Sequence, residues 1–439
     1  MELLSYIFSF FLIVILVLSF IKIKYGVALF LAYMILVPHV RIHLGPLSFG
    51  SNLFTGVFLI AFFLYVMQRN IKLKWKPLTP FFIWFALWLI MMLFQPIPAE
   101  WMLNQWRRDT MGVLILPFVM YNMMIYDSSS IKLFRNTFVI CIVVAIGYGL
   151  ILTQLGGVNP YQMACEVIFK EDFNGVSYEN YYLAESGGRM FGRISSTYRH
   201  PMSFALFQGM AFIYIYSLRD KLHKYFYWIM LAAIALMIIC CGVRSVIGGI
   251  IVALAYYLFM RRSFKLMVSV LIIGFVGMLI VEQIPDMAAY LGSIGDVNNK
   301  TGAVAGSSVE MRLGQLAGAI KEASKNPLFG LGYGWTQYYQ SLHGDHPICL
   351  AFESLIFVAI CNGGILGCAL WIFLILSIMR NNNRISHSPI LLNTLLVFWI
   401  SYACITGEYG YMRTFILFYI VMIGDQMVTE NKKVITSKR

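Results

Sequence analysis

Glu353 stands inside an apolar run, Pro347-Ile-Cys-Leu-Ala-Phe-Glu-Ser-Leu-Ile-Phe-Val-Ala-Ile360, directly behind the charged segment His343-Gly-Asp-His346. A carboxylate in such a run is costly in a membrane and is a functional candidate by default. At ~1.5 Å per residue it is expected roughly one to two turns into a helix, facing a wet pocket where loop meets bilayer. A partly buried acid there can take a proton as a bond forms. Glu353 is therefore the first candidate for a general base, and His346, just upstream, is the second.

Arginines offer the complementary chemistry, because their planar fork suits phosphate and carboxylate better than lysine does. Arg244 lies in Cys240-Cys-Gly-Val-Arg-Ser245, a turn between two apolar runs. Arg312 lies on an expected amphipathic helix at about 308–325, opened by a possible capping box, Ser307-x-x-Glu310, and ended at Asn326-Pro327. Its apolar stripe would be Val309, Leu313, Leu316, Ile320 and Ala323, with Arg312 at the buried edge. A third group, Gly192-Arg-Ile-Ser-Ser-Thr-Tyr-Arg-His-Pro201, brings Arg193, Arg199 and His200 to the start of another apolar run. The bland alternatives are snorkelling to lipid headgroups and pairing with neighbouring acids.

The elements that must hold these residues are membrane helices. The chain has 439 residues, is 60% hydrophobic and only 12% charged, and has a mean hydropathy of +0.75. That excludes a soluble domain and implies an all-α polytopic membrane protein, with about 12–13 transmembrane helices. The first run, 3–20, lacks a basic start and a cleavage site, so it reads as a retained helix. Basic residues fall in alternate loops, such as Arg69 to Lys76, Arg219 to Lys224, Arg261 to Lys265 and the C-terminus. This bias places those loops in the cytoplasm. The net charge of +13 belongs to this topology and not to nucleic-acid binding. Two large loops, 154–200 and 282–346, then lie outside a single membrane domain spanning 1–439. The basic residues on that side are mostly arginine, a bias that topology alone does not require. The eight cysteines form no CxxC pair and no zinc spacing, so they read as small core residues, with no metal site and no cofactor.

Four features resemble the bacterial O-antigen and exopolysaccharide polymerase (Wzy-type) and O-antigen ligase superfamily. They are Arg193-Ile-Ser-Ser-Thr-Tyr-Arg-His-Pro201, Gly242-Val-Arg-Ser-Val-Ile-Gly248, Arg312 followed by Asn326-Pro-Leu-Phe-Gly-Leu-Gly-Tyr-Gly334, and Glu353-Ser followed by Gly363-Gly-Ile-Leu-Gly367. Their order matches across about 190–370. Ligases of that superfamily carry a His-Asn pair about eleven residues before the glycine-rich close, where this chain has Glu353-Ser354. That departure looks more like the polymerase branch.

The resemblance implies a metal-independent glycosyltransferase of the bacterial inner (plasma) membrane, multi-pass, with its active site on the periplasmic or outer face. The donor would be an undecaprenyl-diphosphate-linked glycan and the acceptor another lipid-linked repeat unit. Lipid A-core is the acceptor in the ligase alternative, and a lipid-linked glycan transporter is the alternative from another class. Membrane lipids, and flippase and chain-length regulator proteins, are the expected partners; nucleic acid is not. Arg193, Arg199, Arg244, Arg312, His200 and Tyr333 would bind the diphosphate and glycan, with Glu353 or His346 as base.

Overall fold

The computed structural model describes residues 2–37, 42–44, 47–49, 51–156, 158–169, 193–263, 309–386, 388–408 and 410–437, with 265, 268 and 272. Nearly all of 264–281, which the sequence reads as a further apolar span, about half of 154–200, the whole of 282–308 and the Ser307 cap lie outside the described residues.

The chain is an all-α polytopic membrane protein. Its N-terminal helices are α1 (Glu2–Ile21), α2 (Ile23–Leu36), α3 (Ser51–Arg69), α4 (Thr79–Met91), α5 (Ala99–Tyr126), α6 (Ser128–Gln154) and the short α7 (Pro160–Phe169). Then follow α8 (Pro201–Ser217), α9 (Lys224–Cys240), α10 (Arg244–Arg261), α11 (Val309–Ala323), α12 (Trp335–His343), α13 (Leu355–Ile385), α14 (Pro389–Thr406) and α15 (Tyr411–Ser437). Five of them, α5, α6, α10, α13 and α14, are long and apolar enough to cross a bilayer by themselves, and shorter apolar helices accompany them. Helices satisfy every backbone group within one segment, which hydrocarbon demands. One hairpin, Ile42–Leu44 against Leu47–Phe49, pairs antiparallel with Ile42 opposite Phe49. The composition gave no sign of it.

Proline opens α4, α8 and α14 within their first two residues, where its missing N–H costs nothing. Asp127 caps α6 and Ser354 caps α13 through their side chains. The buried faces meet in an aromatic core in which Trp399 stacks on Phe415 at 4.5 Å and Trp84 meets Trp371 at 4.9 Å. Phe10, Ile60, Ile151, Ile251 and Ile372 point outward, as lipid-facing positions should.

The two ends of the bundle differ in chemistry. At one end Lys24 pairs with Asp127 at 2.9 Å, and Arg135 and Lys221 reach Asp425 at 3.3 and 3.5 Å. This basic face gathers the lysine-rich loops. The opposite end, the loop face, carries α11, α12 and the starts of α5, α8, α10, α13 and α15.

On the loop face α13 is broken. Gly364 adopts φ 56°, ψ −146°, so helical bonding fails on either side of it. The glycine-rich segment 327–332 replaces the lost bonds one for one. Leu331 and Gly332 donate to the carbonyls of Cys361 and Asn362 at 2.8 and 3.1 Å, while Ile365 and Leu366 donate to Pro327 and Leu328 at 3.0 and 3.1 Å. The backbones nearly touch: a Cβ on Gly330 would lie 2.4 Å from the Gly363 nitrogen, and one on Gly364 would lie 2.4 Å from the Pro327 oxygen. Both positions have positive φ, which glycine alone adopts without strain. Gln95, after α4, clamps the crossing by donating to the Phe329 and Asn362 carbonyls at 2.6 and 3.0 Å. The Pro-Leu-x-Gly-x-Gly stretch and the later Gly-Gly pair are thus two halves of one joint.

Candidate functional site

Glu353 is not inside the helix. The turn 351–354 precedes α13, and Ser354 is its N-cap. The apolar run misled because a helix start is fixed by its cap and not by hydrophobicity: the Ser354 hydroxyl accepts from the Ile356 N–H at 3.2 Å and donates to the Cys404 carbonyl at 2.6 Å. Glu353 is left at the mouth of the loop face, its side chain 37% exposed.

Arg312 reaches it from α11. Its Nη2 lies 3.1 Å from Glu353 Oε2, and its Nη1 donates to the Glu353 carbonyl at 2.7 Å and to Gln315 Oε1 at 3.3 Å. The helix that carries Arg312 is turned differently from the sequence expectation. Its protein-facing side is Arg312, Gln315, Gly318, Ala319 and Ala323, whereas Leu313 and Ile320 are 61% and 54% exposed. The reason is close packing. Gly318 lies against Ile348 and Cys349, where a Cβ would come within 2.7 Å of Ile348 Cγ2, so small residues face the protein and larger ones face outward.

His346 is buried in a structural role. Its Nδ1 accepts from the Ile348 and Cys349 N–H groups at 3.2 and 2.9 Å, and its Nε2 faces Glu322 Oε1 at 3.7 Å. With both nitrogens so engaged, the ring holds the 346–350 turn and is poorly placed to act as a base. The sequence offered it as a base only because of its proximity in the chain.

Arg193, His200 and the start of α10 form a second cluster. Arg193 is buried, and its charge bears on His200, Cys241 and Tyr402. Burial, then the Arg193 and Arg199 charges, push the His200 imidazole down to about 3, so it stays neutral. Its Nδ1 accepts from the Met202 N–H at 3.1 Å, capping α8. His200 therefore contributes a helix cap and not a cation. Arg199 is exposed and Arg244 half-buried. Arg244 opens α10 behind Val243, which provides no side-chain cap.

The end of α14 joins the two clusters. Tyr402 donates to the Met202 carbonyl at 2.7 Å and lies within hydrogen-bonding reach of Ser245. Two residues on, the Cys404 carbonyl accepts from Ser354, next to Glu353.

Tyr333 stands apart from the four arginines with which the sequence grouped it. It is buried, and its hydroxyl donates to Asp109 Oδ2 at 3.0 Å. It lines a cavity of about 420 Å³ whose lining includes Arg108, Asp109 and Glu408 but not Arg193, Arg199, Arg244 or Arg312. Asp109 and Glu408 escaped the sequence reading. Asp109 carried a usable signal, being an acid ten residues into α5, the same kind of signal that singled out Glu353. Glu408 carried none, because it falls in the gap between α14 and α15.

Residues 228–372 match the family model described as O-antigen ligase. Over that stretch, about a third of the chain, the sequence is similar to the O-antigen ligase superfamily. The match runs from α9 through the break in α13, so it includes Arg244, Arg312, the glycine joint and Glu353. Members of this superfamily carry out glycan transfer of the ligase or polymerase kind. No curated protein matches the chain.

Proposed function

We propose that the chain is a polysaccharide polymerase that transfers an undecaprenyl-diphosphate-linked glycan to another lipid-linked repeat unit, on the outer face of the bacterial plasma membrane. The observation that carries this reading is the Arg312–Glu353 pair at the mouth of the loop face, inside the matched domain. The positive-inside bias supports putting the basic face in the cytoplasm and the loop face outside.

In the proposed step the acceptor hydroxyl attacks the anomeric carbon of the donor glycan. The bond from that carbon to the diphosphate oxygen breaks, and undecaprenyl diphosphate leaves with the bonding pair. Arg312, Arg244 and Arg193 stabilise the charge growing on the leaving group, a role that forked donors fill without a metal. Glu353 takes the acceptor proton. Diphosphate binding would compete for Arg312 and loosen its hold on Glu353, so the base is released when the donor arrives.

A ligase is the second reading, because the matched model is described as O-antigen ligase. Deleting the protein and resolving cell-surface glycan on a gel separates the two. A single repeat on each anchor supports the polymerase. Long lipid-linked chains that never reach a final anchor mean a ligase.

A further inference from the structure

We propose that the cavity between α4, α5, α12 and the turn before α15 binds the terminal sugar of the acceptor glycan, at a place separate from the diphosphate arginines. This rests on the transfer reading above and assigns the acceptor's place within it.

The chemistry of the walls selects the ligand. Trp84 and Trp88 line the cavity, and among the described residues neither indole N–H has a hydrogen-bond partner, although both rings are at least 97% buried. Both N–H groups are sealed behind the packed rings, so the two tryptophans form an apolar wall and the polar contacts come from the groups beside them. Beside them runs a preorganised polar chain: Arg108 donates to Gln105, Gln105 donates to Asp109 at 3.1 Å, and Tyr333 donates to Asp109 at 3.0 Å. Glu408 closes the other side, accepting from the Met412 N–H at 2.8 Å and from Trp399 Nε1 at 3.3 Å. Flat aromatic faces, donors and acceptors side by side suit a polyhydroxylated ring.

The same walls disfavour the other parts of a lipid-linked substrate. With two acids beside it, the single Arg108 guanidinium offers a diphosphate little net positive charge. A prenyl chain would leave Arg108, Asp109 and Glu408 in contact with hydrocarbon. At about 420 Å³ the cavity takes the end of a chain and not the chain itself.

The logic of the reaction then decides which sugar it is. The donor's reactive sugar is bonded directly to diphosphate, so it must sit at the arginines. The acceptor reacts at the end of its glycan remote from its own diphosphate, and only that sugar suits a pocket that offers phosphate so little positive charge. The distance fits as well. Val358 lines the cavity one helical turn beyond Ser354, so the pocket begins roughly 6–8 Å along α13 from Glu353, at ~1.5 Å per residue.

The test uses full-length protein in detergent micelles. The probe is the phosphate-free oligosaccharide released by mild acid from the producing cell's own lipid-linked repeat units. Titration calorimetry should show saturable binding to the unaltered protein. Asp109→Asn and Glu408→Gln, conservative changes on separate elements, should each weaken it about tenfold or more while the thermal midpoint holds. Arg312→Gln should bind the oligosaccharide normally yet fail to extend lipid-linked chains. No binding by the unaltered protein, unchanged affinity in both carboxylate variants, or loss of binding in Arg312→Gln would each overturn the assignment. If Arg312→Gln still extends chains, the transfer site is wrong, and oligosaccharide affinity in the carboxylate variants judges the cavity independently.

Discussion

Arg312 grips Glu353 twice, by its side chain at 3.1 Å and by its backbone carbonyl at 2.7 Å. The two residues are 41 apart in the chain and come from different elements, a loop-face helix and the turn before α13. Both side chains are partly exposed, at 26% and 37%. An ion pair so placed adds only about 0–1 kcal/mol to stability. Stability alone is therefore a weak reason for the pairing, whereas an anion competing for the guanidinium would have a direct effect on the acid.

Glu353→Gln tests the acid. Glutamine keeps the size and one acceptor oxygen but cannot take a proton. Chain extension should fall at least ~10²-fold, the scale of a lost general base. The thermal midpoint should change by less than the equivalent of ~1 kcal/mol. Polymer length on a gel and protein level in the membrane fraction check both statements. Normal polymer from this variant would end the base assignment.

Arg312→Lys and Arg244→Lys test the need for a fork. Lysine keeps the positive charge, and with it any contribution to topology or snorkelling, but cannot give two parallel hydrogen bonds to one phosphate. Each variant should reach the membrane at normal level and lose most of its transfer activity. Lysine working as well as arginine at both positions would reduce them to topological charges.

Much of this was legible in the sequence, and the exceptions have physical causes. Long apolar runs marked the membrane helices, because a bilayer leaves the backbone few alternatives. The acid–arginine constellation was visible as residues, but its pairing was not, because Arg312 and Glu353 meet through a packing choice set by Gly318 against Ile348. The end of an apolar run did not reveal the Ser354 cap, so Glu353 was placed a turn too deep. The glycine motifs were visible as two separate signals. Their exchange of hydrogen bonds across the Gly364 break is a long-range relation that no local pattern encodes. Tyr333 was grouped with the arginines by its motif, yet its partner is Asp109, 224 residues earlier in the chain.

The sidedness of the bundle is open to labelling. Ser324 and Ser341 are exposed on the loop face, and Ser128 and Ser388 are exposed at the other end. Single cysteines at the first two positions should react with an impermeant thiol reagent added to intact cells whose outer barrier has been opened. Cysteines at the last two should react only after lysis. The positive-inside bias sets this expectation. The reverse pattern would remove the outer-face transfer model altogether.

Glu408 sets a pH dependence whose sign follows from its surroundings. Burial pushes its carboxyl up from 4.5 to about 7, and the Asp109 charge adds to the rise, against the lowering effect of hydrogen bonds from Met412, Trp399 and Tyr411. Across the cavity it faces Arg108, Asp109 and Tyr333. The folded protein thus holds a proton that the unfolded chain releases near 4.5. The stability from this group is fully present below about 4.5 and is lost as the pH rises through about 7. The thermal midpoint of the purified protein in detergent should therefore fall across that window by more than in Glu408→Gln, which has no proton to lose. Measured by intrinsic fluorescence at a series of pH values, the variant's curve should be the flatter one. An identical slope in both proteins would show that Glu408 ionises as freely in the fold as in the unfolded chain, and that the pocket around it is wet and open.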